Sequence, residues 1–106
     1  MTHEESIQVQ AVRIVEEISQ TEVDRRRNFR NAKPACLYIW RGKRIYINDI
    51  SWGTWREEAI AIVNAELTKQ FGYSQGVLAS WVVDLLRRFH VAEGRLPTVD
   101  EYGNIY

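Results

Sequence analysis

The chain has 106 residues with 14 Lys+Arg against 14 Asp+Glu, 45% hydrophobic and 26% charged residues, and one cysteine. These values indicate one domain, 1–106, able to bury a core of its own. They exclude an internal disulfide and a multi-cysteine zinc site, and neutrality argues against non-specific coating of nucleic acid. No apolar run is long enough to span a bilayer, so no membrane contact is expected. The polar start at Thr2, His3, Glu4 and Glu5 does not resemble a secretory signal, which favours the cytoplasm.

The first element reads as a helix. Thr2 and Glu5 fit a capping box, and Ile7, Ala11, Ile14 and Ile18 then form one stripe widened by Val12 and Val15. The stripe fails at Glu22 and Arg25 and resumes at Phe29, so a bend, fraying or break is expected between Ser19 and Arg25. With no Gly or Pro there, a continuous helix to about Arg30 is the alternative. Pro34 ends the element.

A hairpin follows. Cys36–Trp40 and Arg44–Asn48 are rich in β-branched and aromatic residues. A three-residue loop, Arg41-Gly42-Lys43, would pair Trp40 with Arg44 and Tyr38 with Tyr46. Leu37, Ile39, Ile45 and Ile47 would then face the core. Tyr38, Trp40, Arg44, Tyr46 and Asn48 would face outward.

Two helices complete the pattern. Thr54 and Glu57 fit a second capping box, followed by an apolar face of Trp55, Ala59, Ile60, Ile62, Val63, Leu67 and Phe71. Gly72 suits a C-cap and Ser74 the next N-cap. The last helix places Leu78, Trp81, Val82, Leu85, Leu86 and Phe89 on one side and Ser80, Asp84 and Arg87 opposite, and Gly94 and Pro97 stop it. Arg95–Tyr106 is a tail expected to add a short strand or wrap the surface. The fold class is therefore α+β in the order α-β-β-α-α: an N-terminal helix, a two-stranded antiparallel hairpin, two C-terminal helices and a short extended tail.

The segment from Leu67 to Trp81 resembles a helix-turn-helix: Gly72 matches the turn, and Leu67, Phe71, Tyr73, Leu78 and Trp81 match the apolar offsets. The resemblance implies a second helix in the DNA major groove, presenting Ser74, Gln75, Gly76, Ala79, Ser80 and Val83 to bases. Only Gln75 among these is a strong base reader, and no Arg or Lys lies on that face before Arg87. Two amphipathic helices joined at a glycine produce the same pattern without DNA.

Gly72-Tyr73-Ser74-Gln75-Gly76 also spells the G-x-S-x-G nucleophile elbow, with Asp84 and His90 downstream. That elbow needs a preceding strand, whereas the residues here have helical periodicity. Cys36 and His90 lack companions that would mark a nucleophile and base. No His/Cys/Asp cluster has metal spacing. No catalytic residue, metal or cofactor is expected.

Arg25, Arg26, Arg27, Arg30, Lys33, Arg41, Lys43 and Arg44 put eight basic residues and no acid into twenty positions, with Phe29, Tyr38 and Trp40 among them. Helix-end and hairpin basics must converge to act as one site. Arg41 and Lys43, at the hairpin tip, are expected to point away. The candidate binding residues are accordingly Arg25, Arg26, Arg30, Lys33, Tyr38, Trp40, Arg44 and Tyr46. Trp, Tyr and Arg are enriched at protein interfaces, and a hairpin without cover can acquire one from a second copy. The expected function is a non-enzymatic interaction module, a homo-oligomer or a binder of another protein, using this aromatic and basic surface. The alternative is nucleic-acid binding, through the basic region or the helix-turn-helix-like segment.

Overall fold

The computed structural model describes residues 6–27, 36–47, 52–89, 91 and 94–106. Its elements are α1 (Ile7–Arg27), β1 (Cys36–Trp40), β2 (Lys43–Ile47), α2 (Trp52–Phe71) and α3 (Gly76–Arg88), in the expected α-β-β-α-α order. Among the described residues no helix is long and apolar enough to cross a membrane.

α1 runs without a break through Ser19–Arg25 to Arg27, as in the continuous alternative, whose last residues to about Arg30 lie outside the described ones. No residue in that stretch forbids a helix, and the absence of an apolar residue on the stripe costs a helix little once its earlier turns are packed. Ser6 starts the helix: its hydroxyl accepts the Val9 N–H at 3.2 Å, and its carbonyl accepts Gln10 N–H at 3.1 Å. The Thr2/Glu5 capping box lies outside the described residues. Thr54 does not cap α2, which begins two residues earlier at Trp52.

The hairpin register differs from the expected one by one residue. The turn has two residues, Arg41 and Gly42, with φ of 52° and 80°, and Trp40 pairs with Lys43, Ile39 with Arg44, and Tyr38 with Ile45. Two consecutive positive φ values are the type I′ signature, whose twist matches that of the flanking strands. Side chains alternate strictly along a strand, so a one-residue slip moves a whole set to the other face. Tyr38 and Trp40 join Ile45 and Ile47 in the core, at 2% and 1% exposure for the two aromatics. Ile39, Arg44 and Tyr46 take the opposite face.

Three helices support that core. α3 packs against both α1 and α2, which is why Ala79 and Val83 are buried as well as Leu78, Val82, Leu85 and Leu86. α2 and α3 are antiparallel: Asn64 reaches Gln75, and Arg56 grips Asp84 in a two-pronged contact at 2.9 and 3.1 Å. α1 and α3 run in parallel. Ile7 and Leu78 share a groove at their starts, and the Ser19 hydroxyl donates to the Val91 carbonyl at 3.1 Å beyond the end of α3. β1 rests on α1 and β2 on α2. One hydrophobic cluster thus joins all five elements.

Past Gly94 the tail folds on itself. Val99 bridges Ile105, and Thr98 and Tyr106 exchange backbone hydrogen bonds of 3.0 and 2.9 Å. Asp100 organises the turn, accepting the N–H groups of Tyr102 and Asn104 at 2.9 Å each and the Tyr106 hydroxyl at 3.0 Å. These contacts, the Asn104 N–H foremost, hold its carboxyl below the usual carboxylate range.

Candidate interaction surface

The sequence-derived binding residues whose side chains are described divide between the two faces of the hairpin. Tyr38 and Trp40 are core residues, a correction that follows from the register. Arg25 and Arg26 lie in the last turns of α1, and Arg30 and Lys33 fall outside the described residues. The hairpin tip lies farther back along α1, because Arg41 Nε is 3.5 Å from the Glu17 carboxylate. Eight residues of helix separate Glu17 from Arg25, about 12 Å along the axis. The same guanidinium sits 4.6 Å over the Trp40 ring, closing the core at the tip.

Arg44 and Tyr46 remain together on the face away from the core. Arg44 is exposed and Tyr46 half-buried, with the Tyr46 ring centroid 5.3 Å from that of Trp55 in the first turn of α2. Sequence reasoning assigned Trp55 to the core face of its helix. Its position at the very start of α2, just after β2, was the signal for a contact with the hairpin.

The helix-turn-helix resemblance does not extend to geometry. Ala79 and Val83, two of the residues meant for bases, are fully buried between helices. Tyr73, which that arrangement would use to lock the helices, is 66% exposed. The segment is two amphipathic helices joined at Gly72, whose φ of 85° ends α2. Ser74 does not cap α3 as expected. Its hydroxyl accepts from the Asn64 amide at 3.2 Å, and the Asn64 carbonyl oxygen accepts the Gln75 N–H at 2.7 Å. Asn64 thereby pins the turn, and Gln75 stands at the N-cap of α3 without a side-chain capping bond of its own, with no acid in the helix's first turn. The elbow reading also lapses: a helix precedes Ser74, and Asp84 is engaged by Arg56. His90 and the Cys36 side chain lie outside what is described.

Among the described residues, the large apolar side chains left exposed are Ile7, Phe71, Tyr73, Val77, Leu96, Tyr102 and Tyr106. Ile7, Tyr73 and Val77 rim a groove of about 220 Å³ floored by Leu78, where the first turns of the parallel α1 and α3 meet the α2–α3 turn. Tyr102, 82% exposed, stands at the tip of the Asp100 turn. That turn rests on α1 as well, since a Cβ at Gly103 would lie 3.6 Å from the Gln8 amide nitrogen. Groove and turn therefore flank the same first turn of α1.

Among the described residues no group of three or more His, Cys, Asp or Glu side chains is placed to hold a metal. No protein-family model matches the chain, and comparison with curated proteins and with solved structures returned no match.

Proposed function

We propose that the chain is a non-enzymatic protein-interaction module that self-associates, and that its docking surface lies at the start of α1 rather than on the hairpin. One observation carries this reading. The hairpin's Tyr38 and Trp40 are spent on the core, while Ile7, Tyr73 and Val77 remain exposed around a groove with Tyr102 beside it. Clustered exposed apolar side chains mark interaction sites, whereas scattered ones do not. Sedimentation velocity over a wide concentration range tests it. A mass that rises with concentration supports self-association, and a monomer at the highest soluble concentration refutes it.

A second reading, nucleic-acid binding, rests on Arg44 beside the Tyr46–Trp55 ring pair. A cation next to half-exposed rings suits a single strand, by phosphate contact and base stacking. Salt-sensitive binding of short oligonucleotides, weakened by Arg44→Glu, is its expected signature. Absence of binding at low salt eliminates it.

A further inference from the structure

The groove and the tail turn have complementary chemistry. The groove has the exposed apolar side chains of Ile7, Tyr73 and Val77 at its rim, with Gln10, Ser74 and Gln75 also lining it, and it opens at the first turn of α3. That turn has no capping side chain and no acidic residue of its own. Free N–H groups and the aligned peptide dipoles leave such an end partially positive. The tail turn presents the opposite: a ring at Tyr102 and an exposed carboxylate at Glu101 beside it. Asp100 and the Val99–Ile105 bridge hold the backbone of that turn, so the points from which the two side chains project are fixed.

We infer that two copies of this chain pair by reciprocal exchange, each placing Tyr102 and Glu101 of its tail turn into the Ile7–Tyr73–Val77 groove of the other. The inference rests on the self-association reading and assigns its surface. Knob and groove flank one turn of α1 in each copy, so a single two-fold axis brings both junctions together, and the contact closes at two copies. Tyr102 enters the apolar rim while Glu101 approaches the N–H groups at the start of α3. A Tyr side chain carries on the order of 150–250 Å² of contact area. Two knobs and the matching groove walls therefore bury roughly 800 Å² in total, below the 1,200 Å² or more of a standard interface. The dimer is accordingly weak and rapidly reversible.

Sedimentation equilibrium on the full chain and three variants tests this. Tyr102→Ser removes the knob at an exposed position. Val77→Asp blocks the groove and places an acid where the helix dipole favours it, preserving α3. Glu101→Lys reverses the knob's charge. Each should weaken self-association, the first two by about tenfold or more, as loss of a central anchor does. Mixing Tyr102→Ser with Val77→Asp should form a heterodimer tighter than either variant alone, because one intact junction survives in it. A wild-type dimer unmoved by all three variants overturns the exchange and leaves self-association standing, with Arg44→Glu/Tyr46→Ser locating the surface on the hairpin instead. A wild type monomeric throughout overturns both. Circular dichroism of each variant confirms the fold, and Tyr102→Ser, altering only an exposed ring, keeps the test decisive if Val77→Asp unfolds.

Discussion

Replacing Trp40 with alanine removes the largest fully buried side chain among the described residues. Such truncations cost about 3–5 kcal/mol, a large part of the 5–15 kcal/mol typical of a whole domain. The indole also carries a cost, because its Nε1–H is buried with no hydrogen-bond partner among the described residues. An unmade buried hydrogen bond is unfavourable by about 1–3 kcal/mol. Trp40→Phe deletes that donor together with part of the ring, so the lost packing and the relieved donor oppose each other. Trp40→Phe should lie within about 1 kcal/mol of wild type, while Trp40→Ala loses several kcal/mol. Urea unfolding followed by far-ultraviolet circular dichroism measures both, as a shift in midpoint at constant slope. If Trp40→Ala keeps wild-type stability but changes the mass in solution, Trp40 is an interface residue and the register derived from the turn is wrong. If Trp40→Phe is as damaging as alanine, the indole N–H is satisfied and the opposing terms do not exist.

Gly42 has φ of 80° with open space where a Cβ would stand, so Gly42→Ala should cost about 1–2 kcal/mol from backbone strain alone, and an unchanged melting midpoint would contradict the type I′ turn. Asn64→Ala removes the acceptor of the Gln75 N–H and should cost about 1 kcal/mol by urea melt, whereas Ser74→Ala, which loses no helix cap, should cost less; the reverse order would restore Ser74 as the cap. The Asp100 carboxyl is depressed in the folded tail, so its contribution is present above the ordinary carboxylate range and is lost as pH falls through the lower folded value. The amide resonances of Tyr102 and Asn104 should follow that acidic titration, and a midpoint at the ordinary carboxylate value would refute the Asp100-centred turn.

The order of elements was legible because hydrophobic periodicity is local. Ile7, Ala11, Val15 and Ile18 mark a helix whatever they pack against, and Gly72 ends α2 through its own backbone freedom. The fold class and most core-facing helix residues follow from such signals. The hairpin's faces did not, because Arg41-Gly42 and Arg41-Gly42-Lys43 are both acceptable loops, and the choice between them reverses every strand residue. Burial of Tyr38 and Trp40 against the helices, closed at the tip by Arg41 and Glu17, settles that choice. Burial of Ala79 and Val83 likewise depends on α3 lying between two helices, which no single helix pattern records. The candidate site was illegible for the same reason. Ile7, Val77 and Tyr102 lie far apart in the chain, and only the parallel packing of α1 and α3 and the return of the tail onto Gln8 bring them to one end of the molecule. Local sequence sets which elements form and which side of each is apolar; which apolar residues stay outside is decided by how the elements cover one another.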